Sequence, residues 1–159
     1  MKKTLLFAAI TAAAMFTACN KNKDKVEPPK TKTRAELLTA GKWQLKGYEE
    51  EYKDSVRTVT EDYYDDLEPC FKDNYILFGA DMTLTADEGP TRCDSITEQT
   101  TTGNWAFIEN DTKVIFTIDG DSDTSGIAEL SANVFKIAKT TTYMNVYTLT
   151  TTRTYARIN

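Results

Sequence analysis

Three cysteines, 24 carboxylates and no histidine set the chemistry open to this chain of 159 residues. Without an imidazole there is no Ser-His-Asp or Cys-His relay and no histidine-ligated zinc within the chain. Carboxylate chemistry, oxygen-ligated cations, or plain binding remain. The densest acidic stretch is Glu49-Glu50-Glu51, Asp54, Glu61-Asp62, Asp65-Asp66 and Glu68. Two carboxylates a fixed distance apart could act on a glycosidic bond, or the stretch could collect a cation or a basic partner. The commoner use is a solvated loop and strand edge, where charge deters edge-to-edge sheet pairing, and we adopt that reading. "DGDSD", Asp119 to Asp123, sets carboxylates at alternate positions, as a calcium loop begins. An EF-hand loop wants Gly at its sixth place and Glu at its twelfth. Thr124 and Leu130 stand there, so a hairpin turn is expected and no metal site or cofactor is assigned.

The cysteines fall into two groups. Cys19 follows a short positive start, Met1-Lys2-Lys3, and an apolar run from Thr4 to Phe16. That run is too short to span a membrane as a helix and suits a secretion signal. Phe16-Thr17-Ala18-Cys19 resembles the bacterial lipobox, in which the chain is cut before the cysteine and the thiol is acylated. The resemblance makes Cys19 the lipidated first residue of the mature chain; the alternative is an ordinary signal peptide with a chance cysteine. Several acyl chains anchor far more firmly than one, at roughly 0.8 kcal/mol per buried methylene. Cys70 and Cys93 remain. On an oxidising secretory route such a pair is most simply a disulfide, with two free thiols as the alternative.

Composition divides the chain into residues 1–18 as leader, 19–33 as lipidated cysteine and tether, and 34–159 as one folded domain. "NKNKDKVEPPKTKT", Asn20 to Thr33, has five lysines, a Pro-Pro pair and Val26 as its one large apolar residue, so it cannot bury a core. Its lysines suit anionic headgroups. Residues 34–159 carry 12 Lys and Arg against 22 Asp and Glu, a net charge of −10. That argues against a nucleic-acid partner, which needs a basic face.

The folded part reads as strands after one short helix. "TRAELLTAGKW" has Thr33 and Glu36 at capping-box spacing and Gly41 as a stop. "KWQLKGY" alternates, with Trp43 and Leu45 on one face. "SVRTVTEDYY", "NYILF", "GADMTLTADEG", "SITEQTTTGNWAFI", "KVIFTI", "IAEL" and "NVFKIAK" follow as strands. Val114, Phe116 and Ile118 are in phase, as are Phe135 and Ile137. "DGDSDTSG" reads as a turn, and Thr141 to Ile158 as one long final stretch. Eight to ten short strands in simple succession predict an antiparallel sandwich or an up-and-down barrel.

Gly41-Lys42-Trp43, opening the first strand after a helical turn, resembles the Gly-x-Trp signature of lipocalins. Together with "CFKDNYILFGADMTL", "EGPTRC" and "TGNWAF", it resembles the lipocalin-like domain of small lipoproteins of the Bacteroidota. The resemblance spans roughly Glu36 to Ile158. It implies an all-β, antiparallel up-and-down barrel of about eight strands with a short N-terminal helical turn. Trp43 would plug the closed end, covered by Arg153 or Arg157 from the last strand. Some lipoproteins of the Bacteroidota use an acidic run after the cysteine for export to the cell surface. None follows Cys19, which points to the outer membrane's periplasmic face.

The resulting expectation is binding without catalysis. The membrane is met through the lipid anchor, and the barrel takes a small apolar or amphipathic ligand. Trp43, Phe78, Trp105, Phe107, Phe116 and Tyr147 are the candidate lining, supplying apolar area, with tyrosine hydroxyls to orient the ligand. Plain core is the other use for strand aromatics. Two alternatives stand behind this one: a filled barrel whose acidic loops dock a protein partner of unknown identity, and a carboxylate-based hydrolase.

Overall fold

The computed structural model describes residues 30–96 and 98–159. The leader, Cys19 and most of the tether lie outside them. The chain enters through α1 (Arg34–Leu38). The expected capping box is formed: the Thr33 hydroxyl accepts from the Glu36 amide at 3.1 Å, and the Glu36 carboxylate accepts from the Thr33 amide at 2.7 Å. These contacts satisfy two of the amides that a helix start leaves open.

Nine strands follow among the described residues: β1 (Lys42–Lys53), β2 (Thr58–Asp62), β3 (Tyr75–Phe78), β4 (Thr83–Asp87), β5 (Thr100–Ile108), β6 (Lys113–Ile118), β7 (Asp121–Leu130), β8 (Val134–Tyr143) and β9 (Tyr147–Ile158). Every pairing is antiparallel between neighbours in sequence, except that β3 pairs with β1 across β2 and β9 returns to β1. That return closes β1 and β3 to β9 into an eight-stranded barrel. The β1–β9 ladder is its longest seam, from Lys42 opposite Ile158 to Lys53 opposite Thr148. β2 pairs only with Glu49–Lys53 of β1.

Three sequence readings are corrected. A second short helix, α2 (Pro69–Lys72), occupies "PCFK"; Pro69 at its start suits the first helical turn, where a missing N–H costs nothing. "DGDSDTSG" is a turn only at Asp119-Gly120, where both φ angles are positive; β7 begins at Asp121. The final stretch is not continuous, because Met144 and Asn145 adopt positive φ and turn the chain between β8 and β9. In the last two cases threonine and serine, good strand residues on an exposed face, mask where the turn lies.

Alternation places the core. Trp43, Phe78, Leu84, Trp105, Val114, Phe135 and Ile137 are all buried, with Leu38 of α1 beneath them. Phe135 lies between Trp43, Phe78 and Tyr155, with ring centroids 5.7, 5.7 and 5.8 Å away. Phe78 meets Trp105 edge to face at 5.5 Å. Both indole N–H groups are satisfied, Trp43 donating to the Leu38 carbonyl at 2.7 Å and Trp105 to the Gly79 carbonyl at 3.0 Å. This column fills the end of the barrel nearest α1.

Candidate functional site: the open mouth

The opposite end is hollow. A cavity of about 1010 Å³ opens there, bounded by β1, β3 to β5 and β9, by α2, and by the connection from β4 to β5. Its position depends on one extra residue. Leu45 pairs with Tyr155 and Gly47 with Thr154, so Lys46 is bulged out. A bulge shifts the two-residue alternation by one. Beyond it the even-numbered side chains turn inward, so Tyr48 rather than Gly47 continues the face begun by Trp43 and Leu45. The Leu45 carbonyl accepts from the Tyr64 hydroxyl at 3.2 Å, which ties the chain after β2 across the bulge.

β9 supplies the cavity floor. Tyr155 stands opposite Phe135 and Leu45, and Arg153 opposite Ile137 and Tyr48. The buried Tyr155 ring stacks on Phe135, so it forms the boundary between filled and hollow halves. Burial raises its phenol above the ordinary tyrosine value, with the Arg153 charge opposing in part. The Arg153 guanidinium lies 5.7 Å over the Tyr48 ring. Tyr48 donates its hydroxyl to Glu50 at 2.7 Å, and that bond, with partial burial, raises its pKa too.

The far wall is stapled. The disulfide between Cys70 and Cys93 joins α2 to the β4–β5 connection, which settles the choice between bridge and free thiols. Asp73, just after α2, accepts from the Thr91 amide at 2.9 Å. Gly89 adopts φ +71, and a Cβ there would lie 2.5 Å from the Asp73 carbonyl. Only glycine permits that backbone approach. Asp87 accepts from the Gly89 amide at 2.8 Å and the Gln99 amide at 2.9 Å. These hydrogen bonds outweigh its desolvation and hold its carboxyl below the usual range.

None of the six aromatics singled out from sequence lines this cavity. Trp43, Phe78 and Trp105 are buried in the column. Phe116 packs on Phe78 at 6.0 Å, and Phe107 lies against Trp105 at 5.2 Å under the Arg34 guanidinium. Tyr147 stacks between Tyr52 and Tyr143, 4.8 Å from each, where β1, β8 and β9 run beyond the barrel. Of the two arginines, Arg157 holds the register position opposite Trp43, and its side chain crosses Gly41. Arg153 faces the cavity instead. The lining that sequence reasoning missed includes Leu45, Tyr48, Ile76, Gln99, Thr101, Arg153 and Tyr155. The in-phase pair Arg153 and Tyr155 was the available signal.

The acidic stretch is spread over two faces. Glu50 stands opposite Glu61 and Glu49 opposite Asp62 across β1 and β2. Each glutamate has its own partner: Glu50 accepts from Tyr48, Glu61 from Tyr63, and Glu49 lies 3.7 Å from Lys136. Every residue of β2 is solvent-exposed. In "DGDSD", Asp121 and Asp123 are strand residues, and Asp123 pairs with Lys139. Among the described residues no group of three or more Cys, Asp or Glu is placed to hold a metal ion.

No curated protein matches the chain. Among solved structures, the chain is similar to a lipocalin-like protein from Bacteroides uniformis, at 14% identity over 77% of this chain and 99% of that one, with a TM-score of 0.46. The family model of the lipocalin-like domain matches residues 39–137, from the end of α1 into β8. With that match over more than half its length, and a barrel closed around a buried Gly-x-Trp tryptophan, the chain belongs to the lipocalin-like domain family.

Proposed function

We propose that this protein is a membrane-anchored lipoprotein whose barrel mouth binds a small apolar or amphipathic molecule, without catalysing a reaction on it. The observation that carries the reading is the cavity. At about 1010 Å³ it stands at the upper end of the roughly 300–1,000 Å³ typical of ligand sites. Its walls mix Leu45, Ile76 and Ala86 with hydroxyls, amides and one arginine, as suits a ligand with both an apolar and a polar part. The family supports a binding barrel.

The anchor rests on the lipobox-like Phe16-Thr17-Ala18-Cys19, and the lysine-rich residues that follow would lie against anionic headgroups. The proposed location is the periplasmic face of the outer membrane. The chain enters the barrel through α1, at the end away from the mouth, so the cavity is not blocked by its own entry helix.

Native mass spectrometry of the protein purified from its own cells tests the binding reading. A discrete adduct lost on unfolding is expected. A bare mass that persists after incubation with lipid and small-molecule extracts would overturn it. For the anchor, Cys19→Ser should move the protein out of the membrane fraction; continued co-sedimentation would count against lipidation.

A second reading has one observation behind it. Val56 and Ile96 are each 90% exposed and Met144 95%, all in turns or connections toward the mouth end. Such apolar tips suit contact with a protein partner, and a bare mass would turn the search to that partner.

A further inference from the structure

We propose that the outer edge of β2 is a docking site for a basic, extended segment of a partner protein, which adds to the sheet as a further strand. The site lies on the β1–β2 hairpin and is independent of what the cavity holds.

Closing a barrel removes the open edges of the strands that form it, and β2 stands outside that closure. Among the described strands it alone has a single neighbour, β1, and every one of its residues is exposed. The hydrogen-bond phase of the β1–β2 ladder follows from its two ends. Asp54 donates its amide to the Arg57 carbonyl at 3.0 Å, and Tyr63 donates to the Tyr48 carbonyl at 2.8 Å. Bonded residues alternate along an antiparallel pair, so Arg57, Val59, Glu61 and Tyr63 bond to β1. Thr58, Thr60 and Asp62 turn their N–H and C=O groups outward, where no other described strand reaches them. Such a row is a template for strand addition. The hairpin is also held in shape before any partner arrives, because Asp54 Oδ1 accepts from the Val56 and Arg57 amides at 2.7 and 2.8 Å.

Charge decides which strand can use that edge. β2 reads Thr-Val-Thr-Glu-Asp and has no cation of its own. Glu50 stands opposite Glu61 on one face of the hairpin, and Glu49 opposite Asp62 on the other. Like charges directly opposite weaken a strand pair, so this edge carries a repulsion that a neutral hairpin would not. A second copy adding its own β2 would bring Glu61 and Asp62 of both chains to one seam. The carboxylates therefore bar self-pairing and admit a strand that carries lysine or arginine. Asp65, Asp66 and Glu68 follow β2 in the chain and extend the same field, which steers a basic segment toward the hairpin.

Beside the edge runs a groove of about 340 Å³, lined by Tyr52, Val59, Tyr63 and Leu149 and flanked by Glu50 and Glu61. The cation at its end, Arg57, is already engaged with Asp54 at 3.9 Å and with the face of Tyr52 at 5.6 Å. An antiparallel incoming strand would set basic residues against Asp62 and Glu61 and an apolar residue against Val59, over the groove. Read from its N-terminus, a matching segment is Lys-Lys-Thr-Val-Thr. Main-chain hydrogen bonds then hold the segment, and the alternate side chains select it.

Nuclear magnetic resonance of the full chain, titrated with a capped peptide centred on Lys-Lys-Thr-Val-Thr, tests this. The Thr58, Thr60 and Asp62 amides should gain protection from exchange on binding, and those of Val59 and Glu61, already bonded to β1, should gain little. N-methylation of the peptide's first lysine and first threonine, whose N–H groups face Asp62 and Thr60, should abolish binding. N-methylation of its second lysine and its valine, whose N–H groups face away, should be tolerated. Replacing the peptide's lysines by glutamate should weaken binding roughly tenfold or more, as should Glu61→Gln combined with Asp62→Asn in the protein. Thr60→Pro removes an outward N–H and leaves the β1 ladder its bonds, so it should abolish binding; circular dichroism melting confirms that each variant is folded. Equal effects of the two methylation patterns, equal binding of the glutamate peptide, or no binding of the lysine peptide would overturn the site. Dimerisation seen by sedimentation and lost in Thr60→Pro would also overturn it, by giving the edge to a second copy. None of these outcomes bears on ligand binding in the cavity, which native mass spectrometry reads separately.

Discussion

The two ends of this barrel are made from the same strands and the same alternation, yet one is filled by side chains and the other hollow. At the α1 end, Trp43, Phe78, Trp105 and Phe135 pack ring against ring, and both indole N–H groups find carbonyls. At the mouth the inward positions on β1 and β9 pass to Tyr48 and Arg153, and β5 offers Thr101. Large aromatics close a barrel of eight strands, whereas shorter or polar side chains leave room for one small molecule. The comparison teaches that the buried aromatics of such a barrel are its plug, and that the site lies one layer above them. Tyr155 marks the boundary, with its ring on the plug and its hydroxyl on the cavity side of the ledger.

The largest effect should come from the plug. Trp43→Ala should lower unfolding free energy by about 3–5 kcal/mol, read from urea midpoints; a change below about 0.5 kcal/mol would mean that the closed end is held by something else. The disulfide comes next and tests the mouth. The double substitution Cys70→Ser with Cys93→Ser opens a link between residues 23 apart and should cost about 3 kcal/mol in the chain-entropy model. Hydrogen exchange should rise at α2 and the β4–β5 connection and stay unchanged at Trp43. Equal loosening at both ends would break the division into plug and mouth.

Gly89→Ala is a sharper probe of the same wall. Its φ of +71 and the 2.5 Å approach to the Asp73 carbonyl predict a loss of about 1–3 kcal/mol in thermal unfolding. An unchanged melting temperature would show that the wall yields freely.

The smallest change concerns the boundary itself. Tyr155→Phe should alter stability at neutral pH by under about 1 kcal/mol, since the hydroxyl has no hydrogen-bond partner to lose among the described residues. The difference should appear in alkali. The folded-state pKa of Tyr155 is raised above its unfolded value of 10.0. The folded protein therefore holds that proton longer, and its stability falls as pH climbs past about 10. The phenylalanine variant lacks this term, so its denaturation midpoint should decline less between pH 9 and pH 11. Identical slopes would place Tyr155 in contact with bulk water.

Much of the fold was legible in local patterns because local physics produces it. Thr33 and Glu36 announced the capping box, Gly41-Lys42-Trp43 the plug, and the in-phase pairs at Val114, Phe116, Phe135 and Ile137 the inner faces. The helix α2 was not legible, since four residues carry too little periodicity to stand out. The turn at Met144-Asn145 was hidden among strand-forming threonines and tyrosines.

The site was less legible than the fold. Aromatics on strands look alike whether they fill a barrel or line it, and which they do depends on neighbours brought from the far end of the folded chain. By itself the sequence determined the strand succession, the absence of imidazole chemistry, the acidic balance and the cysteine pair. These follow from composition and short-range alternation. Tertiary structure alone decided that Lys46 bulges and turns Tyr48 inward, that Arg157 rather than Arg153 pairs in register with Trp43, and that Tyr155 borders open space. Each depends on the β1–β9 register, which joins the two ends of the folded chain. A one-residue shift in such a seam exchanges every inward side chain for its neighbour, and no local pattern records it.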